Sequence, residues 1–362
     1  MDRLQIKKVW VDRKVESRPL TRQILDRLSG CQVEVVDSQE EVLRAIRLAS
    51  DPMGESKKNL YLTGQLSFIR PCPCSPGCVS CRYWNIDLDL NCPFDCSYCV
   101  LQSYLNYQPL TVAINREGLE RELEEFLQKK GKVPVRIGTG ELADSLGLDS
   151  LTNNAIFLTE LFRRKEGVWL ELKSKSARIQ PLLEVKPPSN VILSWSLNPQ
   201  AVIDSEEKGT ASLKERLEAA AAAVKHGYQV GFHFDPIIHY PGWKEEYSQV
   251  IASIFKIIPA EAIVWISLGS LRFPPRLKSL ARFRFPESLI YEHEFIRTPE
   301  GKYRYPRPLR LYLYEEISRI FSDYGAADKL YLCMESAEVW QAFMQKIKRG
   351  RRFLAFPFPW LS

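Results

Sequence analysis

The chain reads as an α/β protein built on an incomplete barrel of six β/α units, with a small β-α-β piece before it and an extension after it. Three observations lead there. Apolar, β-branched runs alternate with stretches of helical spacing from about residue 84 to 271, the pattern of parallel strands joined by crossover helices. Residues 5–37 carry the same pattern once, as strand, helix and strand. After Leu271 the alternation weakens into a segment rich in Arg, Lys, Pro and aromatic residues. The expected organisation is therefore 1–58 as the amino-terminal β-α-β domain, 59–83 as a cysteine-rich linker, 84–271 as the partial barrel and 272–362 as the carboxy-terminal extension.

In the amino-terminal piece, Ile6–Val11 is apolar, Leu20–Leu28 has helical spacing, and Val33–Val36 follows Gly30 as a short strand. The polar stretch Asp51–Lys58 is expected to link onward. Barrel strands are expected at Trp84–Leu90, Val133–Ile137, Val168–Leu172, Val191–Leu197, Gln229–Phe234 and Ile263–Leu268. Helices are expected between them at about 116–129, 151–165, 177–184, 211–226 and 243–257. In such a barrel the active site lies at the carboxyl ends of the strands, and six units leave a side open to a large substrate. A helix at 308–322, a strand at 330–334 and a helix at 336–347 follow. The tail Arg349–Ser362 is expected to pack its aromatics onto the body.

The chain has 362 residues, 45% of them hydrophobic and 26% charged, ordinary values for a globular protein. Lys256, Pro259 and Glu261 interrupt the longest apolar stretch, Val250–Leu271, so no segment is expected to span a membrane. The start, Met-Asp-Arg-Leu-Gln, has no apolar signal region, and a cytoplasmic location is expected. Nine cysteines in such a compartment argue for metal ligation over disulfides. The net charge of +6 suits a polyanionic partner without demanding one.

The most informative motif is Cys92-Pro-Phe-Asp-Cys96-Ser-Tyr-Cys99. Three thiolates at C-x3-C-x2-C spacing can hold three corners of a 4Fe–4S cluster and leave the fourth iron without a protein ligand. Zinc would want a fourth Cys or His at regular spacing, and no histidine follows within the next hundred residues.

This motif resembles the signature of the radical S-adenosylmethionine enzymes, whose open iron binds that cofactor and splits it reductively to a 5′-deoxyadenosyl radical. The wider chain resembles the spore photoproduct lyase family, as a divergent member. The resemblance rests on Cys-x3-Cys-x-Tyr-Cys-x-Leu-Gln at 92–102, on Asp144-x2-Gly147-x-Asp149-x-Leu-Thr152, on Ser196-Leu-Asn198, and on Pro236 with Gly242-Trp243. It implies a partial radical S-adenosylmethionine barrel, a 4Fe–4S cluster on Cys92, Cys96 and Cys99, and a DNA substrate with a thymine dimer-type lesion. It also implies a carbon–carbon lyase type of reaction and a one-electron reductant such as flavodoxin or ferredoxin. The residues it implies for the cofactor are Tyr98 against the adenine, Asp144 or Glu141 on the α-ammonium, Lys175 (with Lys173 as rival) on the carboxylate, and Ser196 and Asn198 as neutral donors. Glu141 and Tyr98 are the catalytic candidates. Gly138-Thr-Gly140-Glu141 also resembles a glycine-plus-glutamate motif in which the glycines admit close backbone approach. Arg272, Arg297 and Lys302 fall where the family meets damaged DNA, with Phe273, Tyr303 and Tyr305 near enough in sequence to stack on an extruded base.

Two positions depart from the family pattern. The lyase returns a hydrogen atom from a cysteine where this chain has Glu141, and a carboxylate O–H is too strong a bond for that task. The lyase's tyrosine after the third cluster cysteine is Val100 here. A second cysteine group, Cys72-x-Cys74-x3-Cys78-x2-Cys81, is absent from the lyase. It could hold a second iron–sulfur cluster or a structural zinc, or supply the missing hydrogen donor. Cys31 reads as a small buried hydrophobe. A radical reaction on a peptide or small metabolite is the alternative to DNA.

Overall fold

The structure, a computed structural model, describes residues 4–64 and 67–347; the tail 349–362 lies outside the described residues. Its larger sheet has eight strands. Seven run parallel in the order Leu330–Leu332, Ile263–Ser270, Gln229–Ile237, Val191–Ser196, Val168–Ser174, Val135–Gly138 and Tyr83–Ile86, and Ile69–Pro71 closes the edge antiparallel. All six expected barrel strands are there in chain order, joined by a seventh, Leu330–Leu332, from the extension. The sheet curls into a half-barrel. Strands buried on both faces explain the unbroken apolar runs; every residue of Val191–Ser196 is buried.

The crossover helices pack through regularly spaced apolar residues. In Trp243–Ile257 the buried set is Trp243, Tyr247, Val250, Ile251 and Ile254, one face of a helix. Leu213–His226 starts at a capping box of Ser212 with Glu215 and stops at the left-handed Gly227. Between Leu271 and Arg307 the described chain forms a helix, Pro275–Arg284, and a small three-stranded antiparallel sheet of Arg272–Phe273, Tyr303–Arg304 and Ile296–Arg297.

A second, five-stranded sheet starts from the amino-terminal piece. Gln32–Val36, Lys8–Asp12, Asn59–Thr63 and Leu110–Ala113 are parallel, and Asp89–Leu90 ends it antiparallel. The run expected as one strand at 84–90 is thus divided between two sheets. The sheet also takes strands from beyond residue 58, and the stretch expected as a linker contains the short helix Pro52–Ser56. Sequence periodicity missed both because the segments are only a few residues long.

At the centre of the half-barrel lies a buried carboxylate. Glu171, 1% exposed, accepts hydrogen bonds from Arg136 Nη2 (2.8 Å), His233 Nε2 (2.8 Å), Ser194 Oγ (2.6 Å) and Trp265 Nε1 (2.7 Å). These donors come from four other strands of the sheet. Two glycines make the convergence possible. A Cβ on Gly231 would stand 2.4 Å from Trp265 Nε1 and 2.6 Å from Ser194 Oγ, and one on Gly138 would stand 1.8 Å from the Tyr83 hydroxyl. Gly231→Ala is therefore expected to destabilise the fold by about 1–3 kcal/mol through overpacking, read as a lower urea midpoint. A midpoint equal to wild type would contradict this reading of the barrel interior.

Candidate functional site

The carboxyl ends of the parallel strands open onto one cavity of about 320 Å³. Each strand delivers side chains to it. Glu141 and Asp144 follow Val135–Gly138, Lys173 and Lys175 end or follow Val168–Ser174, and Ser196 ends Val191–Ser196. His233 and Asp235 lie on Gln229–Ile237, Arg272 follows Ile263–Ser270, and Cys333 follows Leu330–Leu332. Cys92, Cys96, Tyr98 and Cys99 line the same cavity.

The loop with these cysteines is clamped from several directions. Lys57 Nζ donates to the carbonyls of Cys92 (2.8 Å) and Phe94 (2.6 Å). Gln102 Nε2 donates to Cys96 O (2.6 Å), Tyr291 Oη to Ser97 O (3.0 Å), and Asp95–Cys96 pairs antiparallel with Glu207–Lys208. Arg284 from the helix Pro275–Arg284 joins Asp95 (2.8 Å) and Asp51 (3.1 Å). Burial pushes the Cys92 thiol up to about 12 and that of Cys96 well above its ordinary value, with Lys175 opposing the rise at Cys96. Thiols of that kind ionise when a cation takes them, so the donor set fits a metal cluster. Among the described residues no three His, Cys, Asp or Glu side chains converge as the ligands of a single metal ion. A cubane needs no such convergence, because each thiolate binds a different iron.

The candidate cofactor contacts have partners of their own. Asp144 is buried and accepts from Ser174 Oγ (2.6 Å), Lys175 N (2.7 Å) and Leu146 N (3.0 Å); burial raises its carboxyl against these bonds. Glu141 pairs with Arg70, which also holds Asp87. Tyr98 donates to Glu207, and the Lys175 ammonium stands 5.6 Å from the Tyr98 ring. Asn198 does not line the cavity. It donates to Glu207 (2.8 Å) and accepts from Tyr247 Oη (2.7 Å), while Arg216 pairs with Glu207 at 2.6 Å. Burial would lower Lys175, but Glu207 and Cys96 outweigh it and keep the ammonium charged. The glycines of Gly138-Thr-Gly140 make close approaches to the protein itself: a Cβ on Gly140 would stand 2.9 Å from Lys173 Cβ.

Of the three basic residues expected at a substrate, Lys302 lines the cavity, with its ammonium 2.9 Å from Ser75 Oγ. Arg272 also lines it but is forked onto Asp235 (2.8 and 3.0 Å), so its charge is largely committed. Arg297 lies exposed on the outer strand Ile296–Arg297, away from the cavity lining. Phe273 and Tyr305 are buried rather than free to stack on a base. Phe273 packs on Tyr303 and Tyr305 on Phe295, with centroids 5.7 and 4.9 Å apart. Sequence reading missed Glu171, Arg136, His233, Glu207, Arg216 and Asp235, because single polar residues inside apolar or loop segments carry no spacing signal.

Burial lowers His233 below its ordinary value even though Glu171 pulls the other way. Its folded form is thus neutral at pH 7, donating from Nε2. The unfolded chain takes up the proton first as pH falls through about 6.5. Stability should therefore drop between pH 7.5 and 5.5, and His233→Gln should flatten that slope, as read by urea midpoints at both pH values. Equal slopes would refute the assignment.

The sequence pattern of the family described as spore photoproduct lyase matches residues 7–324. Spore photoproduct lyase of Bacillus subtilis (strain 168) is 25% identical over 224 residues, which is 61% of this chain and 66% of that protein. The enzyme of Geobacillus sp. (strain Y412MC61) is 25% identical over 218 residues, 59% of this chain and 61% of that protein. The alignments thus span just under two thirds of these relatives. A solved spore photoproduct lyase complexed with dinucleoside spore photoproduct superposes with a TM-score of 0.79 at 20% identity, covering 92% of this chain and 99% of that one. A variant of that enzyme with bound AdoMet and the dinucleoside gives 0.78 at 20% identity, with the same coverage. With the pattern matched over most of its length, the chain belongs to the spore photoproduct lyase family.

Proposed function

We propose that the protein is a radical S-adenosylmethionine enzyme acting on DNA that carries a thymine dimer-type lesion. The observation that carries this reading is one cavity at the strand ends. It holds Cys92, Cys96 and Cys99 together with Tyr98, Asp144, Lys175 and Ser196, and the cation Lys302 lines it as well. A 4Fe–4S cluster on the three thiolates would supply the electron that splits S-adenosylmethionine into a hydrogen-abstracting 5′-deoxyadenosyl radical. The chain's own residues bind and orient. Lys175 faces the cofactor carboxylate, and Asp144 or Glu141 faces its ammonium. Tyr98, held by Glu207, offers its ring to the adenine, and Ser196 offers a neutral hydrogen bond. Asn198 acts at one remove, by fixing Tyr98 and Glu207. The electron itself comes from a carrier such as flavodoxin or ferredoxin.

Hydrogen return differs from the family pattern. Glu141 is ion-paired with Arg70 and has no weak X–H bond to give. Unless one of Cys72, Cys74, Cys78 or Cys81 serves as the donor instead, the substrate radical would be quenched by reductant or solvent species and one cofactor would be consumed per event. That substitution also favours a second reading, the same initiation chemistry applied to a peptide or small metabolite.

The test is anaerobic incubation with dithionite, S-adenosylmethionine and ultraviolet-damaged DNA, followed by product analysis. Lesion-dependent loss of the spore photoproduct with adduct formation is expected. Cofactor cleavage that ignores the lesion, with no change in the DNA, would favour the second reading. Replacing Cys92, Cys96 or Cys99 by Ala should abolish 5′-deoxyadenosine, and wild-type yield from any of the three would sink the cluster assignment. Lys175→Ala, and one of Asp144→Ala or Glu141→Ala, should weaken S-adenosylmethionine binding by about 2–4 kcal/mol, the cost of leaving a charge unpaired away from water. Calorimetric affinities unchanged in all three variants would contradict the placement.

A further inference from the structure

The inner wall of the half-barrel carries a row of polar side chains. Asn85 is registered against Gly138, and Gly138 against Glu171, so the side chains of Asn85 and Glu171 share the interior face of the sheet. Ser267 is registered against His233 on one side and Tyr331 on the other, which puts it on the same face. Asn85, Glu171, His233, Ser267 and Tyr331 all line the cavity.

Much of this row is committed. Glu171 accepts from its four donors, His233 among them, and Arg136 Nη1 donates to Tyr331 Oη at 3.1 Å. Asn85 and Ser267 are different. Asn85 is 0% exposed, and neither its Nδ2 nor its Oδ1 has a hydrogen-bond partner among the described residues. Ser267 is 1% exposed and its Oγ is unpaired in the same sense. Polar groups stripped of water and left unpaired cost stability, so their retention in a cavity wall points to a ligand. The cavity, at about 320 Å³, far exceeds the roughly 10–15 Å³ that a single trapped water needs. The ligand edge that meets this wall is neutral, because Arg136 already balances Glu171. Cations reach the cavity from outside the sheet, with Lys175 just after Val168–Ser174 and Lys302 just before Tyr303–Arg304. A nucleotide is divided in the same way, into a neutral base and an anionic backbone.

We propose that Asn85 and Ser267 bind the pyrimidine base of the substrate, with the Asn85 amide paired to the imide edge of thymine. Asn85 Nδ2 donates to a ring carbonyl and Oδ1 accepts from the ring N3–H. The match is chemical: amide and imide edge each present a donor and an acceptor side by side. The Ser267 hydroxyl donates to the other ring carbonyl. This assignment rests on the DNA reading above and names the residues that select the base.

The test measures binding to the full chain, reconstituted anaerobically and saturated with S-adenosylhomocysteine, which cannot be cleaved to the radical. The ligands are dinucleoside spore photoproduct and the same compound methylated at both N3 positions. The wild type should bind the methylated form about tenfold more weakly or worse. Asn85→Leu should bind the parent compound that weakly too and no longer distinguish the two. Its urea midpoint without ligand should equal or exceed that of the wild type, because an unpaired buried amide has been removed. Ser267→Ala should lose a smaller part of the affinity. Equal binding of both compounds by the wild type would overturn the proposal, and that arm needs no variant to fold. So would Asn85→Leu with a lowered midpoint and unchanged lesion affinity, the result for an amide that serves the fold through buried water. A variant that loses S-adenosylhomocysteine instead of the lesion would assign Asn85 to the cofactor's adenine and overturn it as well. Wild type without affinity for the parent dinucleoside would sink the DNA reading along with this one.

Discussion

The half-barrel depends on one buried charge being fully satisfied. A lone carboxylate in a protein interior costs several kcal/mol, and a parallel sheet with apolar faces offers it nothing. Glu171 is tolerated because Arg136, Ser194, His233 and Trp265 reach it from four other strands at 2.6–2.8 Å. Burial would raise its pKa, but Arg136 and His233 outweigh that and hold it well below the usual carboxylate range. The interior of the barrel can therefore be polar without being unstable. Three donors meet at Oε1 while Arg136 reaches Oε2, so loss of Arg136 removes the opposing charge, whereas the intact set fixes the relative positions of five strands.

That rigidity matters because the candidate site lies in the cavity that Glu171, Arg136 and His233 also line. The side chains facing the cavity are held at strand ends whose register is set by the sheet, and many are already bonded to protein. Asp144 is used by Ser174 and the backbone, Tyr98 and Asn198 by Glu207, and Arg272 by Asp235. Such bonds cost little reorganisation when a ligand arrives, since the groups are pre-positioned. They also separate two tasks. Lys175 and Lys302 face the cavity with ammonium groups that have no carboxylate within salt-bridge distance among the described residues. The arginines around them act chiefly on the protein.

Much of the architecture was legible because it is periodic. The six barrel strands, the helices at 213–226 and 243–257, and the terminal strand and helix all show in the spacing of apolar residues. The cysteine motif at 92–99 was legible because its three thiols are close together in the chain, and the structure brings all three to the cavity wall. What escaped were short strands, such as Asn59–Thr63 and Leu110–Ala113, whose burial depends on a sheet assembled from distant pieces. Arg272 and Asp235 illustrate the same limit. In sequence, the arginine reads as a free cation near a binding surface. In three dimensions it is half of a bidentate pair.

The sequence by itself determined the alternation of strands and helices, the three-thiolate motif and the family, because each is written in neighbouring residues. Tertiary structure alone decided which side chains share the cavity, since the strands that bear them are separated by helices of 4 to 17 residues. It decided that Glu141 faces Arg70, that Asn198 bonds Tyr98 and Glu207, and that Cys333 lines the same cavity as Cys72 and Cys81 while Cys78 accepts from Arg304. Those choices follow from the registers of parallel strands, a long-range property that local spacing does not encode.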